Sequence, residues 1–281
     1  MTETLILGYL HDHALAAFYA GDTLRQPGCR GGRLTSVPLT ISVIVCAHNE
    51  EHFLAPCLHS LLAQSRTPDE ILVVNNASTD GTHGVAAAIP GIRVVDEDRK
   101  GLVVARERGR QEARGDLLVY IDADCRAPFQ WLETLVRRFE RRPDLLALSG
   151  NYRFYDWDWR GRALLRTYDV TLGLATHVLV KHVFRIGVVF YGGNFAIRRD
   201  ALARINGFDT SIEFHGEDTN LGRRLSRCGP VELRYDCFLY TSARRYNAMG
   251  KVAVFRLYVR NFLSELVHHR PKDQVHLDVR R

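Results

Sequence analysis

Leu117-Leu-Val-Tyr-Ile-Asp-Ala-Asp124 joins an unbroken apolar run to two aspartates separated by one alanine. Residues 117–121 carry no polar alternation, so they predict a strand buried on both faces, the signature of a parallel sheet. In extended chain, side chains two positions apart point the same way, so Asp122 and Asp124 can converge on one target. Adjacent carboxylates repel unless a cation lies between them, and oxygen-only ligation suits Mg2+ or Mn2+. A divalent ion bridging diphosphate oxygens is the natural occupant. Taken alone, the tripeptide is equally met by two solvated turn aspartates, with Asp122 capping the segment that follows.

Working outward, residues 41–46 (ISVIVC) form a second continuous apolar run rich in β-branched side chains. Phe53, Leu54, Cys57, Leu58, Leu61 and Leu62 then recur at helical spacing as one stripe. A strand over 71–74, the turn-rich Asn75-Asn-Ala-Ser-Thr-Asp-Gly81, a short helix, a strand over 92–95 and a helix over about 101–113 complete the approach to Leu117. The order is βαβαβαβ. It predicts an α/β fold, a three-layer α/β/α sandwich with a mostly parallel central sheet and ligands at the carboxyl ends of its strands. Downstream the pattern predicts helices over 131–139, about 162–185, 217–228 and 252–266, with strands over 145–150 and 194–197. Residues 1–38 end in the loop-like Gln26-Pro-Gly-Cys-Arg-Gly-Gly-Arg33 and are expected to be an extension, followed by a catalytic domain over 39–249 and an amphipathic tail over 250–281.

The 281 residues are 46% hydrophobic and 25% charged, which suits a soluble domain with a sizeable core. The net charge is +6, and among 38 basic residues only Lys100, Lys181, Lys251 and Lys272 are lysines. Arginine therefore carries the charge, and its planar fork suits phosphate; an arginine-rich coding bias gives the same count. No basic run is interleaved with aromatics, which argues against nucleic acid. The cysteines (Cys29, Cys46, Cys57, Cys125, Cys228, Cys237) show neither Cys-x-x-Cys pairs nor zinc-ligand spacing and read as reduced thiols of a cytoplasmic protein. The apolar N-terminal stretches are split by His11, Asp12 and His13 and lack a basic n-region, so no cleaved signal is expected.

Five motifs in order resemble the family 2 glycosyltransferases of GT-A fold, over residues 40 to about 245. Cys46-Ala-His-Asn-Glu50 resembles the family's first nucleotide-contacting loop, and Val73-Val-Asn-Asn-Ala-Ser-Thr-Asp-Gly-Thr82 its second. Gly101-Leu-Val-Val-Ala-Arg106 through Asp116 leads into Asp122-Ala-Asp124 at the family's spacing. Gly192-Gly-Asn194, Ile205-Asn-Gly-Phe-Asp209 and Gly216-Glu-Asp-Thr-Asn-Leu221 with Arg224 are similar to its acceptor-side signature. The resemblance implies an inverting transferase that moves a sugar from a nucleoside-diphosphate sugar to an acceptor hydroxyl on a glycan or lipid-linked acceptor, with Mn2+ or Mg2+. It further implies that Cys46, Ala47, His48 and Glu50 line the base and ribose, that Asn75 or Asn76 reads the base edge, and that Arg106 contacts the nucleotide. Asp122 would hold the ribose or the metal, and Asp124 the metal. Asp218 would be the catalytic base, with Glu217 next in line, and Gly192, Gly193, Asn194 and Arg224 would meet the substrate. Arg244 or Arg245 would clamp the diphosphate.

The chain departs from the family pattern at Asn75 and Asn76, where aspartate is common, at His48, where tyrosine is usual, and at Asn220, which replaces a frequent acid. A glycosidase needs a second carboxyl to protonate a poor leaving group, whereas a nucleoside diphosphate leaves readily, so one carboxylate suffices as base. A nucleotidyltransferase would place a glycine-rich basic loop after the first strand, and Cys46-Ala-His-Asn-Glu50 has no glycine. A non-catalytic sugar-nucleotide binding module would share these loops without requiring Asp218. No apolar run reaches the ~18 residues of a spanning helix, so membrane contact is expected to be peripheral, at the cytoplasmic face. Two segments bear on it: 170–186, with His177, Lys181 and Arg185 along one edge, and the stripe Val252, Phe255, Val259, Phe262, Leu263 and Leu266 flanked by Arg256 and Arg260. Each is read either as core packing or as a face in the lipid headgroup layer.

Overall fold

A computed structural model describes residues 38–168, 171, 190–212 and 216–268. The expectations for residues 1–37, for 172–189 with His177, Lys181 and Arg185, and for the side chains of Phe255, Phe262, Leu263 and Leu266 lie outside the described residues. The first half follows the predicted alternation: β1 (Ile41–Ala47), α1 (Leu54–Leu62), β2 (Glu70–Asn76), α2 (Thr82–Ala87), β3 (Ile92–Glu97), α3 (Leu102–Glu112) and β4 (Leu117–Asp122). The second half comprises α4 (Trp131–Arg141), β5 (Ala147–Phe154), α5 (Trp159–Tyr168), β6 (Asn194–Arg198), α6 (Arg199–Arg204), α7 (Glu217–Ser226), β7 (Val231–Thr241), α8 (Arg244–Met249) and α9 (Lys251–His268). Among the described residues no helix is long and apolar enough to cross a membrane.

The strands form one sheet in the order β3-β2-β1-β4-β6-β5-β7. β1 pairs in parallel with β2 and β4, and β2 with β3. β1 and β4 are covered on both faces, which is why their sequences run apolar without alternation. One face packs against α1, α2 and α4 through Leu58, Leu61, Ala86, Trp131 and Leu135. The other packs against α3, α6 and α7 through Val103, Leu202, Leu221 and Leu225. Three layers result.

The second half differs from expectation in three places. β6 runs antiparallel to both β4 and β5. β5 does not stop at Gly150 but continues to Phe154 after a register shift, and its extension pairs with the end of β7. β7 itself was not expected, although Val231, Leu233, Tyr235, Cys237, Leu239 and Thr241 alternate as the buried face of a half-covered strand. These additions matter to function because they carry Tyr152 and Thr241, and the start of α8, up to the carboxyl ends of β1 and β4.

Candidate active site

The chain leaves β1 toward β2 and β3 on one side and returns through β4 on the other, so strand order reverses between β1 and β4. Such a switch point opens a crevice at the carboxyl ends of the two strands. Cys46 is paired with Asp122 there. Both acidic motifs and the first loop therefore meet by topology rather than by sequence proximity.

Arg106, on α3, is 2% exposed and stands at the centre of this crevice. Its Nη1 lies 3.2 Å from Glu217 Oε1 and its Nη2 lies 3.8 Å from Asp122 Oδ1, while its guanidinium sits 5.3 Å from the Phe195 ring centre. A buried guanidinium must be paired to be tolerated. Arg106 thus neutralises two carboxylates and ties α7 to β4; it is buried within the fold, where the sequence implied a nucleotide contact. The Tyr152 hydroxyl, 3.3 Å from Asp122 Oδ2, also donates to the Gly192 carbonyl. Burial pushes the Asp122 carboxyl up to about 6, against the pull of Arg106 and with repulsion from Asp124. Gly193 adopts φ +83°, and a Cβ there would collide with the Asp122 carboxyl, so glycine is required on both counts.

On the far side of Arg106, Glu217 and Asp218 open α7. Glu217 is held by Arg106, whereas Asp218 accepts from the Thr219 N–H at 2.7 Å and from the Gly192 N–H. Burial, and then the neighbouring Glu217 charge, push Asp218 up to about 7.

Asp124 faces a different cation. Arg244 Nη2 lies 3.0 Å from Asp124 Oδ2, and the same guanidinium forks onto Glu50 at 2.9 and 2.5 Å. Glu50 is 4% exposed, and its carbonyl accepts from Phe53 and Leu54 at the start of α1. The loop that delivers Arg244 is anchored by Asp156, which accepts from Ser242 Oγ and the Ala243 N–H. Of the two adjacent arginines it is Arg244 that reaches the acidic pair; Arg245, singled out from sequence as a substrate contact, follows it on α8 and the structure does not bring it to Asp124.

The two asparagines separate cleanly. Asn76 Nδ2 donates to Glu97 O and Arg99 O, and its Oδ1 accepts from the Gly101 N–H at 2.8 Å. Its amide is consumed in holding the β3–α3 loop, so Asn76 is corrected from a base reader to a structural tie. Asn75 donates only to Asp96 Oδ1, at 2.8 Å. His48 Nδ1 donates to Asn76 O at 2.6 Å, which fixes its tautomer and angles the ring at the loop. Asn76→Ala is expected to cost about 1–2 kcal/mol, because it leaves the part-buried Gly101 N–H without its acceptor and removes the donor to the Arg99 carbonyl. Asn75→Ala should cost less. Urea denaturation of the two variants, compared with the parent chain, checks the order; equal losses would contradict it.

Three further expectations are revised. Asn194 is wholly buried, receives the Trp131 indole N–H and donates to Asn151 O and Cys237 O, so it stitches β6 to its neighbours and has nothing left for a substrate. Arg224 turns to the Ile205 carbonyl and braces α7 against the preceding loop. Ala47 is 1% exposed and its methyl belongs to the core, leaving only backbone to the crevice. Conversely, Tyr152 and Asp96 belong to the site and were not singled out by sequence; Tyr152 lies beyond the point where β5 was expected to end.

The family model described as Glycosyl transferase family 2 matches residues 42–206, more than half of the chain, including Asp122 and Asp124 but ending before Glu217 and Asp218. The chain belongs to that family. Among relatives, a glucosyl-dolichyl phosphate glucuronosyltransferase of Haloferax volcanii is 26% identical over 186 residues, covering 64% of this chain and 59% of the relative. The human polypeptide N-acetylgalactosaminyltransferase 6 is 29% identical over 240 residues, 74% of this chain and 38% of the relative. The chain thus spans well under two thirds of these relatives' own lengths. Among solved structures, the mannosyltransferase PcManGT from Pyrobaculum calidifontis, in complex with GDP-Man and Mn2+, superposes with a TM-score of 0.65 at 21% identity, covering 94% of this chain and 74% of that one. The glucosyl-3-phosphoglycerate synthase of Mycobacterium tuberculosis, with Mn2+, UDP-glucose and phosphoglyceric acid, gives 0.57 at 22% identity, with 85% and 83% covered. Both likenesses establish the GT-A fold.

Among the described residues of this family 2 chain, no three His, Cys, Asp or Glu side chains converge as a protein-only metal cage. The donor set at the crevice fits a different kind of site. Asp122 and Asp124 offer carboxylate oxygens alone, and Mg2+ or Mn2+ is commonly held by one or two carboxylates, with substrate phosphates and waters completing the shell. The guanidinium 3.0 Å from Asp124 marks where positive charge is already favoured.

Proposed function

We propose that this chain is an inverting glycosyltransferase that moves a sugar from a nucleoside-diphosphate sugar to an acceptor hydroxyl with the help of Mn2+ or Mg2+. One observation carries the reading: buried Arg106 divides the acidic residues of the crevice into Asp122 with Asp124 on one side and Asp218 on the other. A metal and diphosphate suit the first half, and an acceptor hydroxyl suits the second. When bound, the divalent cation supplies charge to the departing diphosphate.

The chain's own residues do the rest. Asp218 takes the proton of the acceptor hydroxyl as its oxygen attacks the anomeric carbon, and its raised pKa makes it a competent base near neutral pH. Glu217, tied to Arg106, is the less suitable base because proton uptake there would break a buried ion pair. Arg244, held between Glu50 and Asp124, is placed to meet diphosphate oxygens. Gly192 and Gly193 let the acceptor approach along bare backbone. Attack from the side opposite the leaving group inverts the anomeric centre. A product of opposite anomeric configuration to the donor, read by proton NMR, is the expected outcome; retention would require a second mechanism and a different role for Asp218.

The acceptor is proposed to be a glycan or a lipid-linked sugar. The Haloferax relative's name, with its glucosyl-dolichyl phosphate, supports the lipid-linked form, as do the exposed Trp159 on α5 and Val252 on α9 as points of peripheral contact with the cytoplasmic face of a membrane.

A further inference from the structure

We propose that Asp96 is a positioning residue that locks the Asn75 amide in one orientation, so that Asn75 presents a carbonyl acceptor to the donor's base and selects bases bearing a ring N–H. The inference rests on the donor-site reading above and adds the class of base. Asn75 ends β2, in register with Ala47 of β1 on one side and Asp96 of β3 on the other. Ala47, Val73 and Val94 all face the α1 side of the sheet, and strand alternation places Asn75 and Asp96 on that same face. A terminal amide can be turned either way, but an ionised carboxylate accepts and never donates. With Asp96 Oδ1 at 2.8 Å, the amide must turn its NH2 toward Asp96 and its oxygen away.

That oxygen is the telling atom. Asn75 is 9% exposed, and its Oδ1 is buried without a hydrogen-bond partner. Buried acceptors in folded proteins are almost always satisfied, so an orphan at the mouth of a ligand crevice calls for a ligand donor. The neighbouring Asn76 cannot serve, since all its amide positions are taken. Guanine at N1, and uracil and thymine at N3, offer a ring N–H to such an acceptor. Adenine and cytosine present a lone pair at the matching ring nitrogen and would be repelled. Asp96 itself is exposed on the edge strand β3, so its contact with the Asn75 amide is not a by-product of core packing.

The test is calorimetric titration of the full chain with UDP, GDP, dTDP, ADP and CDP in the presence of Mn2+, with inorganic pyrophosphate as a probe that carries no base. At least one of UDP, GDP and dTDP should bind about tenfold or more tightly than ADP and CDP, the scale of exchanging a satisfied for an opposed hydrogen bond, and which of the three leads identifies the base. Asp96→Ala should collapse that ratio while pyrophosphate binding is kept. Asp96→Asn, whose amide can donate as well as accept and so no longer fixes the Asn75 orientation, should lower it too. In the double variant Asn75→Asp/Asp96→Ala the ratio should return, because a carboxylate offers an acceptor in either orientation. An unchanged ratio in Asp96→Ala, or a parent chain that prefers ADP or CDP, overturns the inference and leaves the donor site standing. Absence of binding by every nucleotide overturns the donor-site reading, and this inference with it.

Discussion

Asp218→Asn is expected to lower kcat by about 10²- to 10⁴-fold, the usual worth of a general base, at nearly constant donor affinity. The proposed donor contacts are Asp122, Asp124 and the loops after β1 and β2, on the opposite side of Arg106. The pH profile of the parent chain supplies a second readout. A base must be ionised, and with Asp218 held at about 7, the rate should rise as pH increases through neutrality and fall away below it. The consequence for stability has the opposite sense. Because the folded-state pKa lies above the usual aspartate value of 3.8, the folded chain binds more protons than the unfolded chain between those limits, and stability declines as pH rises across that window. Asp218→Asn removes this repulsion with Glu217 and should melt higher than the parent at pH 8. A variant that transfers sugar at close to the parental rate would place the base elsewhere.

Asp124→Ala is expected to abolish manganese-dependent nucleotide binding while leaving the fold intact. The carboxylate lies in the turn just past β4, and its partners are Arg244, the Thr241 hydroxyl and the Cys125 thiol, so no strand pairing depends on it. Its removal also leaves Arg244 with Glu50 alone, an ion pair that persists on its own fork geometry. A folded Asp124→Ala chain that kept manganese-dependent affinity would show that the metal is held by other groups.

The strands that frame the crevice are legible in sequence because burial on both faces leaves no room for polar residues, as in 41–46 and 117–121. Asp122 and Asp124 are legible for the same reason, standing where an apolar run stops. What is not legible locally is who meets whom. Glu50 and Arg244 pair across 194 positions, and the choice of Arg244 over Arg245 depends on Asp156 anchoring the loop before α8. Asn75 and Asn76 are identical letters side by side, yet alternation sends them to opposite faces, one to the Gly101 backbone and the other to Asp96. Arg106 looks like a solvated helix residue or a ligand contact until the antiparallel β6 and the helix α7 close over it. The alternating pattern of 231–241 was present in the sequence and marks β7, a strand that no motif drew attention to.

The measurement that bears most directly on the whole account is release of nucleoside diphosphate from a panel of UDP-, GDP-, ADP- and dTDP-sugars, with and without Mn2+, by the parent chain beside Asp124→Ala. The parent should consume at least one donor, only when the metal is present, and Asp124→Ala should consume none. Donor binding without release or transfer for every sugar nucleotide, or turnover indifferent to both the metal and Asp124, would contradict it.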